Sequence, residues 1–409
     1  MTRFAPADLA ELRDAVADAL RAQEPVEIVG GASKRALGRP LQAPHLLDLS
    51  LLGGIRDYAP SELVLTAGAA TPLAEIERAL AECAQMLAFE PPDWRALLGG
   101  GGEPTLGGAL ACNLSGPRRI KAGAARDHFL GFRGVSGRGE AFKAGGKVVK
   151  NVTGYDLCKL MAGSYGTLAA LEEVTVKVLP RPERVETVLF SDIAPASAVR
   201  LMNAALGSPH EVSGASYLPA GIAGLRAGRV ALRIEGPAPS VAARRDSLLQ
   251  EHRGAGTEEV LGDPESAALW QAIGEVASLL EPGERAVWRI SVAPARGAEL
   301  GEALARALGA TWLLDWGGGL VWAAVPETGP RSLNDAGADA IRREIRGHDG
   351  GGTGHATLVK ASAALRRAVA VFGPPPPALA ALSRRVKEAF DPAHILNPGR
   401  MNPIGAGES

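Results

Sequence analysis

Hydrophobic positions near the N-terminus first follow helical spacing and then strand spacing. Leu9, Leu12, Val16 and Leu20 recur every three or four residues, which predicts an amphipathic helix. Short apolar runs in "PVEIVGG", "HLLDLSLL" and "ELVLTAG" then predict three strands that end at or near glycine. A second helix is predicted to begin at Pro72, because proline is favoured in the first helical turn. This part of the chain is therefore expected to mix helices and strands.

The next part of the chain has weak hydrophobic periodicity. Residues 99–108 are nearly a glycine tract, and residues 113–138 are rich in glycine, arginine and serine. We predict a long loop over residues 113–138, and loops of that length in compact domains usually serve function. The turn "GSYGT" that follows lies between a short helical stretch and a strand of alternating valine and charged residues.

After Pro182 the pattern alternates between strands and helices. The segments "ETVLFS", "RVALRIEG", "RAVWRISVAP" and "TWLLDWGGGLVWAAV" predict strands, and residues 195–206, 240–252 and 299–308 predict helices. This alternation favours a compact α+β unit with an antiparallel sheet. A last helix leads into "DPAHILNPGRMNP". We therefore expect an α+β protein in three parts: residues 1–182, residues 183–380 and a C-terminal return segment of residues 381–409.

Charge and hydropathy exclude some classes of function for this chain. The chain has a net charge of −1 over 409 residues, so nothing global indicates nucleic-acid binding. No apolar run reaches the length of a membrane span, and the acidic N-terminal helix does not resemble a signal peptide, which predicts a cytoplasmic protein. Residues 113–181 hold 12 Lys or Arg against 5 Asp or Glu. This excess is either a solvated face or a site for a diphosphate or an acidic partner.

Cysteine and histidine give no sign of a metal site. The three cysteines, Cys83, Cys112 and Cys158, are far apart and form no CxxC pair, so no disulfide framework or iron–sulfur cluster is expected within this chain. All three are predicted to be small buried hydrophobic residues. The histidines are scattered without a metal-binding spacing, and no metal is expected.

The glycine-rich turns do not match a Rossmann fingerprint or a P-loop, because neither GxGxxG after a strand nor GxxxxGK[ST] occurs. They predict a ligand that is held by several separated loops. "IVGGASK" offers consecutive backbone N–H groups with Ser33 and Lys34, an arrangement that suits a phosphate. Glycines in "TLGGALACNLSGPRR" and "GYDLCKLMAGSYGT" would allow the main chain of two further loops to contact the same ligand.

Taken together, these loops resemble a known family. "VGGASK", "TAGAATPLAEIERAL", "PTLGGALACNLSGPRR" and "GSYGTLAALEEVTVKVLPRP" are similar to the FAD-binding domain of the vanillyl-alcohol oxidase or p-cresol methylhydroxylase (PCMH) type. "KNVTGYDLCKLMAGSYGTL", "DWGGGLVWA", "GHATL" and "FDPAHILNPGRMN" resemble, within that family, the FAD-binding subunits of bacterial glycolate oxidases. The resemblance covers nearly the whole chain. It implies a PCMH-type FAD-binding domain of two α+β subdomains over residues 1–182 and an α+β cap domain over residues 183–380.

The resemblance also implies which residues contact FAD. In this family, backbone cradles the diphosphate and the flavin between two subdomains, and the returning C-terminus closes over the isoalloxazine region. By analogy, the cofactor-binding positions here are Gly30, Gly31, Ala32, Ser33, Lys34, Pro91, Thr105, Gly107, Gly108, Asn113, Ser115, Gly116, Arg119, Gly163, Ser164, Gly166, Thr167, Val174, Asn397 and Arg400. Some relatives attach flavin through His or Cys in the first loop. Because that loop reads Gly-Ala-Ser-Lys here, non-covalent FAD is expected.

The implied activity is oxidation of a small 2-hydroxy acid, glycolate, to glyoxylate. The resemblance implies that the chain works with a flavin-bearing catalytic subunit and an iron–sulfur subunit, with peripheral attachment to the inner face of a membrane through them. Two alternatives stay open. The chain could be a self-sufficient FAD-dependent 2-hydroxy acid dehydrogenase with substrate in the cap pocket and His355 as catalytic base, with Lys360 as a cation for the carboxylate. Alternatively, it could be a scaffold subunit that keeps the fold without redox turnover.

Several prominent residues have structural explanations. Asp156 is predicted to cap a helix. Trp312, Trp316 and Trp322 share one parity along a strand-rich stretch, which favours a place in the core or an interface of the cap over a stacking platform. Alanine at Gly318, in the same stretch, is expected to leave flavin binding intact.

Overall fold

The structure is a computed structural model that describes residues 2–146, 155–280, 285–327, 334–347 and 352–403. Residues 150–154, which begin the "KNVTGYDL" motif, lie outside the described residues. The chain is divided into two compact units. The first unit comprises Met1–Ser115, Gly123–Arg181 and Pro374–Ser409, and the second comprises Gly116–Ala122 and Pro182–Gly373.

The strands and helices of the described ranges are numbered in chain order. The strands are β1 Thr2–Phe4, β2 Val26–Val29, β3 His45–Asp48, β4 Ile55–Ala59, β5 Val64–Gly68, β6 Gln85–Met86, β7 Phe129–Ser136, β8 Ala141–Gly145, β9 Ala169–Lys177, β10 Leu179–Pro180, β11 Arg184–Ser191, β12 Gly214–Leu218, β13 Arg229–Gly236, β14 Thr257–Leu261, β15 Arg285–Val292, β16 Thr311–Asp315, β17 Leu320–Pro326 and β18 Gly354–Lys360. The helices are α1 Leu9–Ala22, α2 Leu73–Glu82, α3 Arg95–Leu98, α4 Leu106–Ala111, α5 Arg119–Ala122, α6 Ala125–His128, α7 Leu157–Met161, α8 Pro195–Gly207, α9 Ala238–Glu251, α10 Asp263–Gly274, α11 Gly297–Leu308, α12 Ala338–Arg346, α13 Ala363–Ala368 and α14 Pro377–Phe390. None of the helices in these ranges is long and apolar enough to cross a membrane.

The first unit contains two separate main sheets. A parallel sheet has the strand order β1-β3-β2, and an antiparallel sheet has the order β4-β5-β9-β7-β8. The predicted N-terminal helix forms as α1, and it buries Leu12 and Val16 against a core that includes Leu47 and Leu396. The C-terminal return therefore belongs to the same core as the first strands, because burial of apolar side chains holds distant segments together.

The loop predicted over residues 113–138 is partly wrong, because residues 129–136 form the strand β7. Gly131 and Gly134 interrupt the apolar pattern, so the sequence lacks the alternation of a strand. The antiparallel partner β9 pairs with β7 despite register shifts at these glycines. A Cβ atom at Gly134 would lie 2.5 Å from the carbonyl oxygen of Ala170, so close approach of backbone accounts for this glycine. Tertiary pairing here outweighs local propensity.

The second unit is built on one eight-stranded antiparallel sheet, in the order β14-β11-β13-β12-β16-β17-β15-β18. The three predicted helices form as α8, α9 and α11. They cover a core that includes Trp288, Val199, Leu304 and Ile341. The expected α+β class, with an antiparallel sheet in the second unit, is confirmed.

The tryptophans of the strand-rich stretch are nearly or fully buried but do not share one face. Trp312 pairs with Ala323, and Leu313 pairs with Trp322, so Trp312 and Trp322 lie on opposite faces of the sheet. The turn between β16 and β17 breaks the parity that the sequence suggested. Gly318 lies in this turn with φ of 100°, and a Cβ atom there would lie 2.7 Å from the carbonyl oxygen of Pro294. Alanine at Gly318 would therefore be strained, so this position is not a neutral control.

Two smaller predictions have opposite outcomes. Asp156 caps α7 as predicted, because its carboxylate accepts a hydrogen bond of 3.2 Å from the N–H of Lys159. The expectation that all three cysteines are buried is wrong. Cys158 is buried and Cys112 is half-buried, but Cys83 is exposed at the C-terminal end of α2, where the helix no longer faces the core.

Candidate functional site

A cavity of about 120 Å³ lies in the first unit. Loops from both main sheets and from the C-terminal return line it. The predicted cofactor residues that the structure brings together in its wall are Gly30, Gly31, Ala32, Ser33, Lys34, Thr105, Gly107, Gly108, Gly166, Asn397 and Arg400. They come from four separated stretches of sequence, as the glycine-loop interpretation requires.

The loop after β2 presents a row of backbone donors. Within the described ranges, none of the N–H groups from Gly30 to Lys34 donates a hydrogen bond. Ala32 takes a left-handed φ of 57°, and such a turn directs successive N–H groups toward a common point. Convergent backbone N–H groups of this kind bind anions, and the oxygens of a diphosphate provide several acceptors.

Lys34 adds a positive charge to this loop. Its ammonium group lies 3.3 Å from the hydroxyl of Ser33, and burial lowers the pKa of Lys34 below its ordinary value of 10.5. A buried ammonium is stabilised by a neighbouring anion. The loop therefore combines unsatisfied N–H donors with a desolvated cation, which is the chemistry that a diphosphate requires.

The glycines of the cavity wall allow backbone to pack on backbone. A Cβ atom at Gly31 would lie 1.8 Å from the carbonyl oxygen of Glu103, and one at Gly107 would lie 2.6 Å from that of Ala69. Neither position accepts a side chain without movement of main chain. These glycines therefore let segments of the wall pack closely on one another, while the N–H donors and the cation of the loop after β2 fit FAD.

Asn397 joins three segments at the edge of the cavity. Its side-chain amide donates to the carbonyl oxygen of Tyr165 at 2.8 Å and accepts from the N–H of Ile28 at 2.8 Å. The turn that carries Asn397 is held by Lys387, whose ammonium donates to the carbonyl oxygens of Thr167 at 2.6 Å and Leu396 at 3.2 Å. The C-terminal return is thereby fixed against both β2 and the turn "GSYGT".

Arg400 holds the loop that follows the row of donors. Its Nη1 group donates to the carbonyl oxygens of Arg35 at 2.9 Å, Leu37 at 3.2 Å and Arg39 at 3.4 Å. Its Nη2 group lies 3.0 Å from a carboxylate oxygen of the buried Glu27. Since these contacts use both terminal nitrogens, Arg400 shapes the cavity wall through the loop.

Seven further predicted residues in the first unit lie outside the cavity wall. Asn113 accepts a hydrogen bond of 3.1 Å from the N–H of Arg126, and Ser115 accepts one of 2.9 Å from that of Ala125, so both side chains hold the start of α6. Three others belong to the turn beside Gly166: Gly163, Ser164 and Thr167.

The remaining predicted residues lie in other surroundings. Val174 is fully buried in the apolar core of the antiparallel sheet, and Pro91 is half-buried after β6. Gly116, Arg119 and His355 belong to the second unit. Cofactor contact by these residues stays a prediction.

Sequence reasoning missed the apolar and main-chain part of the cavity wall. These residues are Ile28, Val29, Arg35, Leu37, Leu49, Ala69, Ala70, Ala111, Cys112, Tyr165, Ala169 and Leu171. Five of them lie in β2, α4 or β9, and the other seven lie in loops between elements. Alanines next to the glycine turns, such as Ala69 and Ala111, were the one available signal, because small residues accompany close approach of a ligand.

We expect FAD to be bound without a covalent bond. Cys112 is the one cysteine in the cavity wall among the described residues, and burial raises the pKa of its thiol to about 11. A neutral thiol is a weak nucleophile. Acid precipitation of the purified chain should therefore release all yellow chromophore into the supernatant. Retention of colour in the pellet of the parent, and its loss in Cys112→Ser, would show attachment at Cys112.

Among the residues that the structure describes, no group of three or more His, Cys, Asp or Glu side chains is arranged to hold a metal ion. His355 lies on the exposed end of β18, opposite Ser291 of β15. Partial burial of its ring, together with the positive charges of Arg289 and Arg119, lowers the pKa of His355 below 6.5. The imidazole is thus neutral at pH 7 and able to accept a proton.

Comparison with known families gives two matches. The family described as "FAD binding domain" matches residues 3–145, and the family described as "FAD linked oxidases, C-terminal domain" matches residues 375–401. These two segments contain most of the cavity wall, including the row of donors after β2 and the Asn397 turn.

Among curated proteins, glycolate oxidase subunit GlcE of Escherichia coli (strain K12) is 35% identical over 398 residues, which cover 97% of each chain. Glycolate oxidase subunit GlcD of Bacillus subtilis (strain 168) is 40% identical over 101 residues, or 25% of this chain and 21% of that protein. Among solved structures, p-cresol methylhydroxylase with substrate bound has a TM-score of 0.70 at 14% identity, covering 100% of this chain and 90% of that one. This structural similarity confirms the expected PCMH-type fold.

Proposed function

We propose, from the premise that this chain belongs to the FAD-linked oxidases and to the family of glycolate oxidase subunit GlcE, that it is the FAD-binding subunit of a complex that oxidises glycolate. Its cofactor is FAD, and its family is one of oxidoreductases. Beyond the family and the cofactor, we propose that the substrate is a 2-hydroxy acid, that the chain works in a complex, and that electrons pass through it to partner subunits.

The row of N–H donors from Gly30 to Lys34 carries the proposal. Five consecutive donors without an acceptor in the described ranges, beside a buried ammonium, make a site for the FAD diphosphate. The first family match contains this loop. On the scaffold alternative, this row of donors beside a lysine would have no ligand to bind.

The chain's own residues bind and orient the cofactor. The loop after β2 would hold the diphosphate, and Lys34 would neutralise part of its charge. Asn397 would keep the turn at Tyr165 and β2 at a fixed separation, so that the wall of the cofactor site stays rigid. Bound FAD supplies a two-electron acceptor. The protein determines where that acceptor lies and how much water reaches it.

Partner subunits are inferred from the relatives. GlcE and GlcD are both named as subunits of glycolate oxidase, and the segment shared with GlcD covers a quarter of this chain. We infer that a second flavin-bearing subunit of GlcD type and an iron–sulfur subunit complete the enzyme. Contact with the cytoplasmic face of a membrane is proposed to come through those partners.

A second candidate function has one observation in its favour. His355 is neutral at pH 7, and two arginines are close enough to lower its pKa. This arrangement suits a base that lies next to the carboxylate of a bound substrate. On this alternative, the chain oxidises a 2-hydroxy acid by itself. The two functions differ in whether turnover requires the partners.

Reconstitution tests the proposal. Dye reduction with glycolate, normalised to flavin, is expected to be at least tenfold slower for the isolated chain than for the chain with its partner subunits. As a control, the complex is also assembled with a variant of this chain that has lost FAD. Equal turnover per flavin with and without partners would support the self-sufficient dehydrogenase. Full activity with the flavin-free variant would support the scaffold.

A further inference from the structure

A buried ion pair lies at the C-terminal end of α14, outside the cavity wall. The ammonium group of Lys387 contacts the carboxylate of Asp391, which is fully buried. Neither residue lines the cofactor cavity. Burial lowers the pKa of Lys387 below its ordinary value of 10.5, although the Asp391 carboxylate opposes this change. A buried pair stabilises a fold only where further hydrogen bonds satisfy both groups, so the other partners of each group matter.

The carboxylate of Asp391 holds the chain that follows it. One of its oxygens accepts a hydrogen bond of 3.0 Å from the N–H of Ile395, and the other accepts one of 2.9 Å from the N–H of Leu396. A Cβ atom at Gly137, in the turn between β7 and β8, would overlap this carboxylate, so the backbone of that turn packs directly on it. Asp391 therefore ties residues 395 and 396 to the end of α14.

The ammonium group of Lys387 holds the same segment and a neighbouring turn. It donates to the carbonyl oxygen of Leu396 at 3.2 Å and to that of Thr167 at 2.6 Å. Thr167 directly follows Gly166, which lines the cavity. The third hydrogen bond goes to Asp391, so all three donors of the ammonium group are used. One side chain thus joins the end of α14, the C-terminal return and the turn "GSYGT".

Residues 395–397 are added to the edge of the parallel sheet in the first unit. The N–H of Val26 in β2 donates to the carbonyl oxygen of Ile395 at 2.8 Å, and the N–H of Asn397 donates to the carbonyl oxygen of Val26 at 3.1 Å. Leu396 is fully buried in the core that α1 covers. This segment places the Asn397 side chain in the cavity wall, next to the strand that leads into the row of donors.

We propose that Lys387 and Asp391 are positioning residues for FAD: their buried ion pair holds residues 395–397 in the conformation that completes the cofactor cavity, and bound FAD in turn orders that segment. The two effects are equal in free energy, because coupling between a ligand and the element that it needs is reciprocal. The inference rests on FAD as the cofactor and is independent of the substrate and of the partner subunits.

Titration of FAD into the flavin-free chain tests the pair, with quenching of FAD fluorescence as the readout. Lys387→Met is expected to raise the Kd for FAD by about tenfold or more, because three hydrogen bonds that fix the wall are lost. Asp391→Asn should also raise the Kd, since the amide keeps the shape but loses the charge. The double variant should raise it by less than the product of the two single effects, because both changes break the same pair.

The matched control is Leu80→Ala in α2. Leu80 is fully buried in the core of the antiparallel sheet and does not line the cavity. Urea unfolding of the flavin-free chains should show a loss of stability for both Leu80→Ala and Lys387→Met. The Kd for FAD should change in Lys387→Met alone, because a general loss of stability affects the free and the FAD-bound chain alike.

Hydrogen exchange gives a readout that is local to the segment. In the parent chain, FAD is expected to slow exchange at the N–H groups of Leu396 and Asn397 by about tenfold or more. In the flavin-free Lys387→Met variant, these two N–H groups should exchange faster than in the flavin-free parent. Exchange in β17 of the second unit should be the same in both chains.

A Kd for FAD in Lys387→Met within about twofold of the parent value would overturn the proposal. An equal rise of the Kd in Leu80→Ala would also overturn it, because the effect would then follow stability and not position. Exchange at Leu396 and Asn397 that FAD leaves unchanged would contradict the reciprocal ordering. If Lys387→Met fails to fold, Asp391→Asn is judged by the same criteria.

Discussion

Valine at Gly166 is expected to lower the FAD content of the purified chain by about tenfold or more. Gly166 has φ of 68°, a conformation that a β-branched residue adopts only with strain. A Cβ atom there would also lie 2.7 Å from the side-chain nitrogen of Asn397. Since Asn397 bridges Ile28 and Tyr165, its displacement would open the cavity wall on two sides. Flavin absorbance per protein after gel filtration measures the effect.

The matched control for this substitution is Gly207→Val. Gly207 is exposed at the end of α8, and a Cβ atom there would meet nothing within 4 Å. Its flavin content should equal that of the parent. Gly166→Ala should fall between the two, because alanine keeps the strain but lacks the branched methyl groups. Parent-like flavin content in Gly166→Val would show that this turn does not shape the cofactor site.

Methionine at Arg400 is expected to lower the free energy of unfolding by about 3 kcal/mol. Arg400 and Glu27 are 6% and 5% exposed, so the change leaves a buried carboxylate with one partner fewer. Arg35 still donates to Glu27 at 3.0 Å, which places the loss at the lower end of the range for broken buried pairs. Three carbonyl oxygens of the loop at residues 35–39 lose their donor as well. Urea unfolding at one fixed FAD concentration measures the change.

Arg13→Met is the control for the loss of an arginine. Arg13 pairs with Asp14 at 2.8 Å, but both side chains are more than half exposed, so the expected loss is below about 1 kcal/mol. Combining Arg400→Met with Glu27→Gln should cost less than the sum of the two single changes, because the isolated charge is then removed. If Arg400→Met and Arg13→Met lower the free energy of unfolding by similar amounts, the buried pair stabilises the fold no more than an exposed one.

The sequence by itself determined the local features of the first unit's site. "VGGASK" predicted a phosphate loop, and in the structure this loop holds the unsatisfied donors from Gly30 to Lys34. The family resemblance carried by "LNPGR" implied a return to the cofactor site, and Asn397 and Arg400 line the cavity. These features were readable because a glycine or a turn residue restricts backbone conformation within a few residues of itself. Alternating apolar residues fixed the antiparallel sheet of the second unit for the same local reason.

The tertiary structure decided the features that depend on pairing between distant segments. Strand β7 forms through Gly131 and Gly134 because β9 supplies its hydrogen bonds. Lys360 and His355 are five residues apart, and an irregularity in the register between β15 and β18 decides which partner each one faces.

The two arginines around Trp316 are the clearest case of this dependence. Arg119, Arg289 and Trp316 come from three separate segments of the second unit, and no local pattern predicts that they meet. Sheet register and one indole hydrogen bond bring them together. Sequence periodicity predicts which face of a strand a residue occupies. The register between strands determines which residues meet on that face, and packing of the whole unit sets this register.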